Sequence, residues 1–418
     1  MPRSLFEAYG IELEYMLVDP TTLAVRSVAD CFLSQLSANV GAPLSDVTCR
    51  DLTWSNELAR HVIELKVSEP TADLVGLAER FQNAIVDAQA SLQSCGAALL
   101  PTAMHPTMKP QDEVQLWPHE GVDVYQQFDA VFDCRSHGWG NVQSVHLNLP
   151  FQGDREFAAL HAAIRLLLPV LPGLAASSPV ADGTESRSAS TRLVYYVTHC
   201  DVVPCLIGDV IPDPMTTQEE YNHRVFEPIA RESQRRNWQD WMKPEFLNAR
   251  GAIARFDRGS IEIRLMDVQE HPRADVAICA AVIAVLRRLV DQRWRSVSEQ
   301  NSLDTRSLRL LLDQSILDGE DAIIRWPEYL ACFGIEDSAV TMSEFWNRLL
   351  ADAKSEDHAL ERLYDPLDVI LREGTLSKRI RRSLHASQVD SVSLANRIDW
   401  VYRRLAHCLQ SGHSFLVP

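Results

Sequence analysis

The sequence predicts an α+β fold: an antiparallel sheet charged on one face, helices packed behind its apolar face, and a helical C-terminal third. Three observations predict it. Several segments alternate apolar and charged residues with the period of a half-buried strand. Between them lie segments whose apolar residues recur at steps of three and four. Beyond His271-Pro272 the alternation stops, and helical periods with polar linkers run almost to the end. Alternating strands with one wetted face belong to antiparallel sheets, because parallel sheets are covered on both sides.

The first strand is the run Tyr9 to Val18, in which Glu12 and Glu14 point to one face while Ile11, Leu13 and Tyr15 point to the other. Two acids side by side on one face repel and weaken a strand unless a cation lies between them. A mixed stretch follows, then a second strand, Arg60 to Val67, with Ile63, Leu65 and Val67 on one side and Val62, Glu64 and Lys66 on the other. Pro70-Thr71 opens a helix marked by Leu74, Leu77, Phe81, Ile85, Ala88 and Leu92, and Gly96 supplies its stop. Ala97 to Leu100 reads as a short strand. Residues 101–140 are rich in Pro, His, Trp and Asp with weak periodicity, and read as loop. Val142 to Leu149 is a third alternating strand, placing Ser144, His146 and Asn148 together. A helix over Arg155 to Leu168 stops before Pro169, and a small-residue loop, Asp182 to Thr191, leads into a helix near Arg192 to Thr198. Residues 251–266 read as a hairpin turning at Asp257-Arg258-Gly259, its second strand carrying Glu262 and Arg264 on one face.

Composition narrows the class of protein. With 46% hydrophobic and 23% charged residues over 418 positions, the chain is globular and long enough for one large domain or two ordinary ones. A net charge of −17 makes nucleic acid and anionic membranes poor partners, since phosphate would be repelled overall. The longest apolar stretches are too short to span a bilayer, and no secretory leader is evident. Nine cysteines without a C-x-x-C pair predict reduced thiols and a cytoplasmic protein.

The polar strand faces collect Glu12, Glu14, Glu64, His146, Glu262 and Arg264. Singly, each acid reads as a solvated strand position and His146 as a structural histidine. Together they offer oxygen ligands with one imidazole, a set that suits Mg2+ or Mn2+ better than zinc. No Walker P-loop occurs, so phosphates would be held by metals and arginines.

Gly10-Ile11-Glu12-Leu13-Glu14, Asn56-Glu57 with Ile63-Glu64-Leu65-Lys66, Met104-His105-Pro106, Val145-His146, Leu174 to Pro179 with Gly183, and Ile261-Glu262-Ile263-Arg264 come in an order that resembles the motifs of glutamate–cysteine ligases. The nearest group looks like the bacterial type 2 carboxylate–amine ligases, related to glutamine synthetase, and the resemblance spans about residues 5 to 290. It implies a glutamine synthetase-like curved antiparallel sheet forming a funnel, with ATP and metals at one end and the acceptor amine at the other. Residues 1–295 would form the catalytic domain and 296–418 a helical region packed on it. By motif position, Glu12, Glu14, Glu57, Glu64, His146 and Glu262 would be metal ligands. Arg264 would contact ATP phosphates, and Arg192 would steady the transferred phosphate or the glutamyl group. Glu57 stands at an odd spacing from Glu64, so a turn or bulge has to bring the two together.

The reaction so implied is ATP-dependent joining of the γ-carboxylate of glutamate to an amine, cysteine by default, with Mg2+ or Mn2+. Three alternatives stay open: a ligase for another carboxylate or amine, a guanidino-kinase-like phosphotransferase, and a non-catalytic nucleotide-binding homologue. Of the other polar residues, His105 beside Pro106 reads as shaping a loop. His137-Gly138-Trp139-Gly140 reads as a lid or a glycine-permitted turn, and Tyr195 and Tyr196 as helical residues of which one is core.

Overall fold

The computed structural model describes residues 3–40, 45–238, 242–386 and 392–417. Its main sheet has eight strands, all paired antiparallel: β1 (Gly10–Val18), β2 (Asp46–Cys49), β3 (Leu52–Asn56), β4 (Val62–Val67), β5 (Ala98–Leu100), β6 (Ser144–Pro150), β9 (Ala252–Arg255) and β10 (Ser260–Asp267). Two-residue strands β7 (Val180–Ala181) and β8 (Thr184–Glu185) form a separate hairpin. The order across the main sheet is β2-β3-β4-β1-β6-β10-β9, with β5 paired to the far end of β1. The four strands read as alternating, β4, β1, β6 and β10, are thus consecutive neighbours in the middle of the sheet.

The apolar face is fully withdrawn from water. Ile11, Leu13, Tyr15, Ile63, Leu65, Leu147 and Ile261 have no measurable exposure, and each buried Ile or Leu contributes about 1.5–3 kcal/mol. The helix Pro272–Val290 lies behind this face and packs against β1, the helices Leu74–Asp87 and Gly153–Leu167, and the later helix Tyr364–Glu373. Sixteen of its nineteen residues are buried. A helix apolar on all sides has to be wrapped on all sides, and the C-terminal helices supply the outer cover. Trp346 donates its indole N–H to the Val170 carbonyl at 2.9 Å, and the Tyr329 hydroxyl donates to Leu166 O at 2.6 Å. Residues on both sides of position 295 therefore share one core.

Several expectations need correcting. The mixed stretch after β1 contains the helix Ala29–Val40 and the strands β2 and β3. The segment read as loop holds helices at Pro110–Glu113, Val122–Phe132 and His137–Gly140. The helix after Pro70 is broken at Ala88 into Leu74–Asp87 and Gln89–Ser94. The nine thiols are not all reduced: Cys31, in the helix Ala29–Val40, is disulfide-bonded to Cys95 at the end of the helix Gln89–Ser94. Their 64-residue separation hides the pairing from any local pattern. Among the described residues, no helix is long and apolar enough to cross a membrane.

Candidate active site

Register places the charged residues opposite one another. Glu12 pairs with Lys66 on β4 and with His146 on β6, Glu14 pairs with Glu64, and Glu262 pairs with Asn148. Cross-strand partners share a face, so one patch of sheet carries Glu12, Glu14, Glu64, Lys66, His146, Asn148 and Glu262. Glu57 joins it by parity. In the β3–β4 pairing Thr53 faces Lys66 and Ser55 faces Glu64, so odd residues of β3 share a side with even residues of β4. Continuing that alternation past Asn56 puts Glu57 on the Glu64 side, and the connection to Val62 absorbs the change of phase.

β10 carries the one irregularity. Ile263 is opposite Leu147 and Met266 is opposite Val145, so Arg264 and Leu265 together face His146 in a bulge. An extra residue inverts the alternation beyond it. Arg264 stays beside Glu262 on the charged face, its Nε 2.7 Å from Glu262 Oε1. Asp267, which an unbroken strand would send to the core, comes round to that same face opposite Ser144.

Hydrogen bonds tie the patch together. His146 Nδ1 donates to Glu12 Oε2 at 3.1 Å, and its Nε2 lies 2.9 Å from Ser144 Oγ. The Ser144 hydroxyl and backbone N–H both donate to Glu14 Oε2, at 3.0 and 2.6 Å. Asn148 Nδ2 donates to Glu12 Oε1 at 3.1 Å, and Lys66 Nζ sits 2.8 Å from Glu64 Oε1. Ligand atoms of Glu12, Glu64 and His146 lie within 4.8 Å of one another, as do those of Glu14, Glu57 and Glu64. Glu64 belongs to both groups. Glu262 stands at their edge, 3.8 Å from His146 Nδ1.

The electrostatics show how crowded this negative charge is. Burial first, then the Glu14 charge, pushes Glu57 up to about 7. Burial and the charges of Glu12 and Glu57 raise Glu64 well above the carboxylate range, against the pull of Lys66. Burial would raise Glu12 too, but the hydrogen bond and charge of His146 hold it at about 2. Burial and Arg264 oppose protonation of His146, yet Glu12, Glu14 and Glu262 together lift it above its ordinary value.

Arg192 reaches the site from the helix Thr191–Tyr196. It is almost fully buried, and its Nε donates to Asp267 Oδ1 at 2.6 Å. Asp267 also accepts from Ser177 N at 3.0 Å and from the hydroxyls of Ser178 and Ser190. A carboxylate with four donors is a rigid mount, and it leaves the rest of the Arg192 guanidinium along a cavity of about 150 Å3 lined also by Glu14, Glu57, His146, Tyr196 and Arg264. Replacing Asp267 by Asn should strand the Arg192 charge, lowering stability by about 3 kcal/mol, and should cut turnover about 100-fold through misplacement. Denaturant melts and steady-state rates of the variant check both.

On the other side of the patch, reached past Glu12 and Lys66, lies a larger cavity of about 660 Å3. Its wall carries Arg3, Lys66 and Arg258 together with Glu12, Asp46 and Glu69, while Gly10 and Gly259 leave the backbone bare. The carboxylates therefore stand between a roomy cavity and a small one.

Sequence patterns alone missed Asp267, Tyr125 and His199. Asp267 was hidden by the bulge. Tyr125 accepts from Asn56 Nδ2 at 3.1 Å, and burial with the Glu57 charge pushes its hydroxyl up to about 12. His199 lines the small cavity and is held neutral, since burial, helped by Arg264 and Arg192, brings it down to about 4 against the Tyr196 carbonyl. His105 is a loop-shaping residue, its Nε2 2.7 Å from Leu23 O. The glycines of 137–140 serve close approach: a Cβ on Gly138 would lie 2.8 Å from His199 Cβ, and one on Gly140 would lie 2.3 Å from Val114 Cγ2.

Comparison with known proteins adds a separate line. A family model described as glutamate-cysteine ligase family 2 matches residues 8–395. An uncharacterized protein of Archaeoglobus fulgidus is 35% identical over 286 residues, covering 68% of this chain and 75% of its own. A Streptomyces coelicolor protein named "Putative glutamate--cysteine ligase 2" is 24% identical over 396 residues, covering 90% of this chain and 94% of its own. Among solved structures, a glutamate–cysteine ligase from Francisella tularensis in complex with AMP superposes with a TM-score of 0.62 at 11% identity, over 98% of this chain and 90% of that one. The ligase PafA in complex with the ubiquitin-like protein Pup gives a TM-score of 0.51 at 12% identity, over 99% and 74%. These two likenesses concern the fold.

Proposed function

The chain belongs to the glutamate-cysteine ligase family 2 and is an ATP-dependent carboxylate–amine ligase, and from that premise we propose that it activates the γ-carboxylate of glutamate as an acyl phosphate and passes the acyl group to an amine. The observation that carries this reading is the position of the crowded carboxylates between two cavities of unequal size. The larger cavity has room for a nucleotide, whose phosphates would face Lys66, Arg3 and Arg258. The smaller one suits glutamate. The polar sheet face would then be the wall of the funnel that the family implies, and the helices of 296–418 its brace.

The donor set fits divalent cations of the Mg2+ or Mn2+ kind. Five carboxylates, Glu12, Glu14, Glu57, Glu64 and Glu262, face two permanent cations, Lys66 and Arg264. At an effective dielectric of 20, each pair of like charges 4 Å apart costs about 4 kcal/mol. Glu12, Glu64 and His146 would hold one ion and Glu14, Glu57 and Glu64 another, with Glu262 completing the shell. Bound there, the ions would supply the positive charge that lets two anionic substrates approach.

The chain's own residues do the rest. Arg264, anchored on Glu262, and Arg192, anchored on Asp267, point fixed donors at the carboxylate and the phosphoryl group it receives. A free carboxylate is a poor electrophile; phosphorylation supplies the leaving group. The amine nitrogen then attacks the acyl carbon, the bond to phosphate breaks with phosphate taking the electron pair, and the nitrogen loses one proton to solvent to leave the neutral amide.

A coupled ADP-release assay with glutamate, Mg-ATP and a panel of amines tests the proposal. Amine-dependent ADP and amide in equal amounts are expected. A stable phosphorylated product formed without amine would replace it with the phosphotransferase reading. Metal binding should also release a proton near pH 7, because Glu57, pushed up to about 7, must give its own up, so affinity should rise with pH. Calorimetric titration with Mg2+ in two buffers of different ionisation enthalpy measures that release.

A further inference from the structure

The small cavity has a neighbour. A chamber of about 660 Å3 lies between the His137–Gly140 turn and the end of the Thr191–Tyr196 helix, and it shares Gly138 and His199 with the small cavity. The dividing wall is as thin as a backbone allows, since any side chain at position 138 would strike His199. Resting on the ligase reading above, we propose that this chamber binds the acceptor amine, that the acceptor is a primary amine bearing an aromatic ring and larger than cysteine, and that His199 receives a hydrogen bond from its amino group.

Size is the first argument. The small cavity is filled by a molecule the size of glutamate, and the chamber is within the range of sites that hold ligands of tens of atoms. Cysteine would leave most of it to water.

The lining is the second. The His137 and Tyr195 rings lie 4.8 Å apart and tilted by 33°. Phe132 and Trp139 stand 5.1 Å apart, and Trp139 meets His199 edge-on at 4.7 Å. Phe132, His137, Tyr195 and His199 thus bring four rings to the chamber wall, Trp139 backs Phe132 and His199 from the small-cavity side, and Val202 stands 58% exposed at the rim. Aromatic faces favour a ring in offset or edge contact. Asp182, whose Oδ1 is 3.2 Å from His137 Nε2, holds that ring in place.

The tautomer of His199 is the third. Its Nδ1 hydrogen-bonds the Tyr196 carbonyl, which can only accept, so Nδ1 carries the proton and Nε2 keeps its lone pair. An imidazole that lines both compartments with a free acceptor suits the N–H of an amine crossing between them.

The experiment compares acceptors with the intact protein, glutamate and Mg-ATP. Cysteine, glycine and ethylamine form the small set; phenethylamine, tyramine and phenylalanine form the aromatic set. The aromatic set should exceed cysteine in kcat/KM at least about tenfold, and Tyr195→Ala should raise the KM of the best aromatic amine about tenfold, the worth of one ring contact, while moving that of cysteine less than about twofold. Val202→Asp, at an exposed position, should weaken the same amine without a folding defect. Hydroxylamine separates the possible failures. If glutamyl hydroxamate forms but cysteine is the better acceptor, or Tyr195→Ala leaves the amines unaffected, the chamber assignment falls while the ligase reading stands. If neither hydroxamate nor ADP forms, both fall.

Discussion

Replacing Glu64 by Gln is expected to reduce ATP-dependent amide formation by at least about a thousandfold while leaving the protein folded. Glu64 is the single residue common to both groups of ligand atoms, so its loss would disable both proposed ion sites at once. Glutamine keeps an oxygen within reach of Lys66, whose ammonium is 2.8 Å from Glu64 Oε1, and matches the volume of the acid. The carboxylate it replaces is also held well above its ordinary pKa by burial and by Glu12 and Glu57, so the native residue is poorly accommodated as an anion. The variant's melting temperature in chelator should therefore equal or exceed that of the native protein, an exchange of stability for activity that reactive sites commonly show. The two forms should diverge when Mg2+ is added. A hundredfold excess over Kd stabilises a binding-competent protein by about 2.7 kcal/mol, and the variant should gain far less. Paired thermal melts and turnover measurements decide the matter; a variant with near-native rates would remove Glu64 from the metal site.

The second large effect is on stability. Arg379 and Glu270 form an ion pair with essentially no solvent exposure, at 2.6 Å, and Arg379 Nη1 also donates to Phe415 O at 2.6 Å. Arg379→Ala leaves the Glu270 carboxylate buried with no cation, which costs about 3–5 kcal/mol, and the tail around Phe415 loses an anchor. Burial raises Glu270, but Arg379 and His271 outweigh it and hold the group below its usual pKa. A depressed carboxylate contributes stability above its unfolded pKa and loses it as pH falls through the folded value. In the variant the same carboxyl prefers its proton, so the gap between native and variant should narrow as pH drops from 7 toward 4. Urea melts at three pH values check the sign. Converting both partners to apolar residues of similar volume should recover much of the loss.

Much of the centre was legible because β1, β4, β6 and β10 are regular where it matters. Alternation alone places Glu12, Glu14, Glu64, His146 and Glu262 on polar faces, and the antiparallel register makes those faces one. What alternation does not carry is phase across a connection. Glu57 looked displaced from Glu64 because the parity rule of the β3–β4 pairing depends on register, which is a tertiary property. Asp267 went unnoticed because only the bulge, invisible to alternation, brings it to the charged face. The helix Val122–Phe132 was a different kind of miss. Tyr125, Phe128 and Phe132 do step by three and four, but the surrounding prolines, histidines and aspartates masked the short period. The Cys31–Cys95 bond joins helices that only the fold brings together.

The bulge in β10 also constrains how this chain can vary. Loops tolerate gain or loss of a residue because their ends can readjust, but a single insertion or deletion between Ile263 and Asp267 would turn Asp267 to the core and free Arg192 from its mount. The interval from Glu262 through Arg264 to Asp267 is thus a fixed ruler, and relatives that perform the same reaction should preserve its length to the residue even where their loops differ freely. Divergent sequences can be sorted by that count before any of them is assayed.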